Sequence, residues 1–452
     1  MRAKNLLQPE QKVVVNKDDV NIFSSPKAYK QQLLTLIAQA KTRIYLTLLY
    51  LQDDEAGHQI LHALYQAKAK NNDIDIKVFV DAHRAQRGLI GEKQQLGNRA
   101  FYLDLAKQYN QKIDIYGVAV KRKELFGVLH LKGMIFDDVL FYTGASINNV
   151  YLQQHDQYRL DRYYQINSHE LCDSFCQYLD TVFVQSGYAL RLNEQTLPSK
   201  QIQRANIIKL KALLKKQRYQ LSAPVTESDS ILLPPDEISI YPLVGCGKRH
   251  NQLNTTIRQT IRAANNSILL FTPYFNLPKI LTKDLTRALK RNIKVTLIIG
   301  DKQANDFYIA DENAFSTIGI IPYVYEILLV RFIKRWQKYI DNGQLTVQLW
   351  HDQANSFHLK GLIVDERYHL LTGNNFNPRA WGLDLENGLL IDDAHGLLKA
   401  AVAEELTVIL NNTKKVAHYS QLESIDNYPS KPRKLIKRMR MTQIDRIIKR
   451  FL

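Results

Sequence analysis

Two strings in this chain share the pattern His-x-Lys-x-x-x-x-Asp: HLKGMIFDD beginning at His130 and HLKGLIVDE beginning at His358. An imidazole can attack an electrophile or pass a proton, and an ammonium beside it can hold the negative charge that grows on a phosphoryl oxygen. On a strand, residues two apart share a face, so His130 projects with Lys132 and His358 with Lys360. Asp137 and Asp365 have the opposite parity and fall at the strand's end. They are expected to fix a turn or pair structurally rather than touch the imidazole.

Partners for the histidines are expected further on. Asp161 in RLDRYYQI and Glu386 in DLENGLLI occupy similar places in the two copies. A carboxylate on one ring nitrogen sets the tautomer and leaves the other nitrogen free to react. The shorter Asp161 is expected to give its histidine a different basicity, which suits different roles. Each string is followed by a small-residue turn, GASINN at Gly144 and GNNFNP at Gly373. Such turns bring backbone N–H groups toward an anion, so Ser146, Asn148, Asn375 and Asn377 are candidate phosphate contacts. If the copies pack face to face, one histidine can attack phosphorus while the other protonates the leaving oxygen. That chemistry needs neither a metal nor a cofactor, and none is expected.

The elements that must hold these residues also repeat. VNIFSSPKAYKQQLLTLIAQAKTRIYLTLLY and ISIYPLVGCGKRHNQLNTTIRQTIRAANNSILLFTPY both read as strand, amphipathic helix and apolar strand. β-Branched runs follow (IKVFVD, IKVTLIIGD), then KIDIYGV and QLTVQLW lead into the two strings. Strands alternating with helices predict an α/β fold of two tandem α/β/α domains related by a pseudo-twofold axis. The expected boundaries are 1–221 for the first domain with a trailing basic helix, 222–235 for a linker, 236–415 for the second domain, and 416–452 for a basic tail. The size suffices for two cores. Cys172, Cys176 and Cys246 form no metal-type cluster or disulfide framework, which fits a reducing compartment. No stretch has signal-peptide or membrane-spanning character, so a cytoplasmic protein is expected.

At these residues the sequence resembles the phospholipase D superfamily, whose signature is the duplicated His-x-Lys-x-x-x-x-Asp string. Within it, DAHRAQRG, YTGASINNVYL, FTPYFNLPKIL, GDKQANDFYI and TGNNFNPRAWGLDLENGLLI are similar to the bacterial phosphatidylserine synthases of Gram-negative type. The resemblance implies CDP-diacylglycerol and L-serine as substrates and a phosphatidyl-histidine intermediate, with His130 as nucleophile and His358 as acid and then base. Near-symmetry around the two histidines leaves an exchange of roles open. A cardiolipin synthase, a phospholipase D or a nuclease is the alternative. The turns depart from the usual Gly-Ser, with Ser146 in one copy and Asn375 in the other.

Arg84, Arg87 and Lys302 follow strands in the two halves and are candidates for the diphosphate; Asp306 is a candidate for the serine ammonium. Lys plus Arg exceed Asp plus Glu, 61 to 44, giving a net charge of +17, which suits an anionic partner. An anionic phospholipid surface is the expected one, at the inner face of the cell membrane. Ile444, Ile447, Ile448 and Phe451 form one helical stripe with Arg446, Lys449 and Arg450 opposite, the pattern of an interfacial helix, with a break near 441–443. The segment VYEILLVRFIKRWQKYI is a second candidate for headgroup contact. The tail's apolar stripe has no use on nucleic acid, which is not an expected partner.

Overall fold

The computed structural model describes residues 12–87, 97–221 and 234–442. Each half is built on a mixed sheet. In the first, Arg43–Thr47, Asp75–Asp81 and Asp114–Val118 run parallel, and Met134–Phe136, Val139–Thr143, Tyr163–Asn167 and Val20–Phe23 continue the sheet antiparallel. In the second, Ser267–Thr272, Lys294–Gly300 and Leu345–Trp350 are the parallel strands. Gly361–Val364, Tyr368–Thr372, Leu385–Asp392 and Glu237–Cys246 continue it antiparallel. The spatial order is the same in both, so the duplication read in the sequence is a duplication of topology.

The parallel strands are rich in β-branched and apolar residues because helices cover the sheet. Pro26–Gln39 starts with Ser25 capping the Ala28 N–H and Pro26 at the first turn, and Glu55–Lys70 starts with Asp54 capping Gly57. One core cluster is shared by the halves: Val118, Leu131, Tyr142 and Phe183 pack in it with Phe271, Ile298, Trp350 and Leu389. The domains therefore meet through a common interior. The strand Val13–Asn16, at the start of the described chain, pairs not with the first sheet but with Glu237–Cys246 at the edge of the second.

Two expectations about surfaces meet the structure differently. The segment 324–340 lies in the helix Ile321–Asp341, and its aromatic residues Phe332, Trp336 and Tyr339 are buried in the second domain's core. An amphipathic stripe fits a protein core as well as a headgroup layer, and here the core takes it. In the tail, Ser430–Met441 forms a helix that ends at Met441, and its Ile436 and Met439 pack with Tyr428 on Tyr323 and Val324. The stripe at Ile444, Ile447, Ile448 and Phe451, with Arg446, Lys449 and Arg450, lies outside the described residues.

Candidate active site

The repeated strings leave their own sheets. Leu129–His130 runs parallel to Leu385–Asp392 of the second half, with His130 opposite Glu386. Ser356–Phe357 runs parallel to Arg159–Leu160 of the first half, and the His358 N–H donates to the Leu160 carbonyl at 2.9 Å. That register places His358 beside Asp161. Gly133 (φ 114°) and Gly361 (φ 153°) then turn each string back to its own sheet in conformations that favour glycine.

Each histidine consequently takes its carboxylate from the other half. His130 Nδ1 lies 2.9 Å from both Glu386 oxygens. His358 Nδ1 lies 3.3 Å from Asp161 Oδ2, 2.8 Å from the Tyr151 hydroxyl and 2.5 Å from Lys360 Nζ. Lys360 itself donates to Asp161 at 2.6 Å. Asp161 thus binds the lysine more closely than the imidazole, a consequence of a side chain one methylene shorter than Glu386.

The turns explain the remaining contacts. A Cβ on Gly144 would lie 2.5 Å from Lys360 Nζ and 2.7 Å from Asp161, and one on Gly373 would lie 3.0 Å from Lys132 Cγ. Each glycine makes room for the lysine of the opposite half. Lys132 Nζ then sits 3.4 Å from the Ala145 carbonyl and 3.5 Å from Ser146 Oγ, weak contacts that leave the ammonium under-solvated. Burial, with Lys360 nearby, pushes Lys132 down to about 7. Burial and Lys360 push His358 down to about 4 against the pull of Asp161. His130 is driven well below the usual imidazole range by burial and both lysines, and burial drives the Glu386 carboxyl well above its usual range. Asp161, although buried, is held below the ordinary carboxylate range by Lys360 and His358. Burial and mutual repulsion thus lower the positive charge of the cluster.

Both histidines and Lys132 line one cavity of about 700 Å³, a size suited to a ligand headgroup. Ser146, Asn375 and Asn377 line it too; the Asn377 Oδ1 caps the turn at Ala380. Asn148 does not line it: its Oδ1 accepts from the Tyr151 N–H and so holds the residue that touches His358. Arg84 lines the cavity, 2.8 Å from Glu124, while Arg87 makes a two-point pair with the same carboxylate and stands behind it. Lys302 is drawn elsewhere, to Glu326 at 3.0 Å and Glu423 at 2.8 Å. Asn148, Arg87 and Lys302 are not among the residues that line this cavity.

Asp306 lines the cavity with its side chain 18% exposed, accepting from the Tyr274 hydroxyl at 2.5 Å, with Arg159 at 3.7 Å. Burial raises its carboxyl, but Arg159, His358 and Tyr274 outweigh that and hold it below the ordinary range. Arg159 and Arg379 are cavity cations that the sequence reading passed over, together with Tyr151 and Tyr274, whose rings meet His358 edge-on. Arg159 has a legible signal, since it stands two residues before Asp161 on a strand. Asp137 and Asp365 lie away from the imidazoles. At φ 52° and 55° they accept from the backbone of Lys41, Thr42 and Arg43, and of Asn265, Asn266 and Ser267, tying the first parallel strand of each half.

The family model for the cardiolipin synthase, phospholipase D-like domain matches residues 33–180 and 257–414. The chain is 42% identical to a CDP-diacylglycerol–serine O-phosphatidyltransferase of Escherichia coli, over 98% of this chain and 96% of that protein. It is 40% identical to the enzyme of the same name from Haemophilus influenzae, over 100% and 98%. A crystal structure of phosphatidylserine synthase from Haemophilus influenzae superposes with a TM-score of 0.94, covering 100% of this chain and 99% of that one.

Proposed function

The chain belongs to the phospholipase D-like family, and from that membership we propose that it transfers the phosphatidyl group of CDP-diacylglycerol to L-serine, giving phosphatidylserine and CMP. The observation that carries the chemistry is the meeting of His130 and His358 in one cavity beside Lys132, with His130 on Glu386 and His358 reached by Lys360, which Asp161 of the opposite half holds. The substrates follow from relatives that share 40% or more of their residues with this chain over nearly full length.

The surroundings divide the labour. An ammonium is a donor only, so Lys360 against His358 Nδ1 makes that nitrogen an acceptor and leaves the ring proton on Nε2. His130 meets carboxylate oxygens at Nδ1, so its proton lies there and Nε2 carries the lone pair. His130 Nε2 attacks the β-phosphorus, the bond to the CMP oxygen breaks, and His358 gives that oxygen its Nε2 proton while Lys360 passes one to Nδ1, so the ring stays neutral. The phosphatidyl-imidazolium at His130 is stabilised through Nδ1–H by Glu386. His358 Nε2 then takes the proton of the serine hydroxyl and Nδ1 returns its own to Lys360, while the serine oxygen attacks phosphorus and releases His130. Lys132 and Lys360, with Ser146, Asn375 and Asn377, face the charge on the non-bridging oxygens. Arg84 and Arg379 take the remaining phosphate charge.

Serine carries an ammonium and a carboxylate on one carbon. Asp306 and Arg159, 3.7 Å apart and both on the cavity wall, match that pair beside His358. The protein works at the inner face of the cell membrane, bound peripherally through the basic tail; no helix among the described residues is long and apolar enough to cross a membrane.

The test is CMP release from CDP-diacylglycerol in mixed micelles with and without L-serine, following the lipid product. Serine-dependent release giving phosphatidylserine, lost in His130→Ala and His358→Ala, is expected. Release that ignores serine and yields phosphatidic acid or a polyglycerol lipid sinks the acceptor assignment.

A further inference from the structure

The string from Val128 to Lys132 lies between the two sheets, and side chains stand in for a neighbouring strand along it. The Asp384 carboxylate accepts from the Val128 N–H at 3.0 Å, and the Asp81 carboxylate accepts from the Leu129 N–H at 2.9 Å. Main-chain pairing with Leu385–Asp392 takes in Leu129 and His130. Beyond it the amide of Asn387 continues the ladder: Oδ1 accepts from the Lys132 N–H at 2.7 Å and Nδ2 donates to the Lys132 carbonyl at 2.8 Å.

An N–H can only donate and a carbonyl can only accept, so this two-point contact admits one orientation of the amide. The Tyr142 hydroxyl donates to Oδ1 at 3.2 Å, and Nδ2 donates to the Tyr219 hydroxyl at 2.9 Å. All four hydrogen-bonding positions of the buried amide are thus filled. Tyr219 comes from the connection between the halves and stacks on Phe175, with ring centroids 4.3 Å apart.

Among the described residues the Lys132 ammonium finds no hydrogen bond shorter than 3.4 Å, so its place in the cavity is set from the backbone end. Lys360 is held from the opposite end, its Nζ donating to Asp161 at 2.6 Å and to the His358 carbonyl at 2.8 Å. There the residue that matches Asn387 is Arg162, whose guanidinium is engaged by Glu405 and Tyr164.

Resting on the reading above that sets Lys132 against the non-bridging oxygens, we propose that Asn387 is a positioning residue for phosphatidyl transfer. It fixes the main chain of Lys132 and so aims the ammonium at the phosphate, and Tyr219 holds the amide in place.

The experiment measures exchange of labelled CMP into CDP-diacylglycerol in the full chain. Asn387→Leu replaces the amide by an apolar branch of like shape, and Tyr219→Phe removes one of its partners. Exchange is expected to fall about a hundredfold in the first and about tenfold in the second, with the KM for serine unchanged. On a Lys132→Met background either change is expected to cost less than about threefold, because it acts through the lysine. A cost that is the same with and without Lys132 belongs to a merely structural residue and overturns the proposal. A second arm uses protein isotope-labelled at lysine Cε, with the Lys132 and Lys360 resonances identified by their loss in Lys132→Met and Lys360→Met. The Lys132 resonance is expected to move in both variants while that of Lys360 stays; an unmoved Lys132 resonance overturns the proposal. Tyr219→Phe decides both arms if Asn387→Leu does not fold. If the unaltered protein shows no exchange, the substrate reading fails, and the resonance arm still decides the positioning.

Discussion

His130 and Glu386, 256 residues apart in sequence, are joined by two contacts of 2.9 Å at a single ring nitrogen. Across the pseudo-twofold axis, His358 and Asp161 are 3.3 Å apart, with Lys360 and Tyr151 closer to the same nitrogen. The reaction is symmetrical in its parts and unsymmetrical in its protons, which makes the two histidines separable by experiment.

Replacing the leaving group separates them most directly. Against CDP-diacylglycerol, His130→Ala and His358→Ala are each expected to lose about a thousandfold or more in kcat, within the range for a lost nucleophile or acid. With a phosphatidyl ester of an acidic phenol, which leaves without a proton, the first step is expected to return in His358→Ala and to stay absent in His130→Ala. The phenol burst measures it; recovery in the His130 variant instead reverses the roles.

The pH profile should lie at unusually low pH. Above about 4, His358 is neutral in the free enzyme and Lys360 can donate to its Nδ1. Lys132, pushed down to about 7, loses its charge as pH rises through that value. For a monomeric substrate, kcat/KM is therefore expected to be flat from about 4 to about 7 and to fall above, with no transition near 6.5. The same His358 shift links to stability: its folded value lies below the unfolded 6.5, so its contribution is present above 6.5 and lost as pH falls through about 4. His358→Gln should flatten the rise of Tm across that window.

Anion binding should draw protons in. CMP beside Lys132 raises its affinity for a proton from the depressed free state, so binding at pH 8 is expected to take up protons. Calorimetry in buffers of different ionisation enthalpy measures the uptake, and Lys132→Met should abolish most of it. Proton release on binding would contradict the assignment.

The two glycines of the turns should respond unequally to the same substitution. Gly144→Ala sets a methyl 2.5 Å from Lys360 Nζ and 2.7 Å from Asp161, and is expected to cost about a hundredfold or more in kcat by displacing both. Gly373→Ala meets Lys132 Cγ at 3.0 Å and the His130 carbonyl oxygen at 3.1 Å, contacts that need only a few tenths of an ångström of adjustment, and should cost about tenfold or less. Steady-state kinetics beside a thermal melt checks that the loss is local.

Asp306→Asn and Arg159→Lys should raise the KM for serine about tenfold or more while His130 still accepts the phosphatidyl group. Exchange of labelled CMP into CDP-diacylglycerol, which needs no serine, reads that first step alone. Loss of exchange in either variant would move these residues from the acceptor to the donor side.

Much of this site is readable from residue types and spacing, because duplication announces itself: the strings, the turns and the later carboxylates recur in one order. What spacing cannot reveal is that each string leaves its own sheet. Parity on a strand says which residues face together, not which neighbouring sheet they face, and so Glu386 could be named without knowing that it serves His130. Lys302 shows a related effect. It follows a central strand as a phosphate ligand might, yet Glu423, more than a hundred residues later, folds back to claim it. Arg159 and Arg379 stand outside the loops after the parallel strands, where ligand contacts in α/β sheets usually gather. The buried aromatic residues of Ile321–Asp341 show that hydrophobic periodicity reports a face to be covered and is silent about what covers it.

The strand Val13–Asn16 pairs in register with residues 237–240. During synthesis at about ten residues per second, its partner emerges roughly twenty seconds later. For that interval the beginning of the chain has a backbone edge with nothing to bind, and the first half waits with His130 lacking its carboxylate. His130 meets its carboxylate only after residue 386 has been added, so the site exists only once both halves have been made.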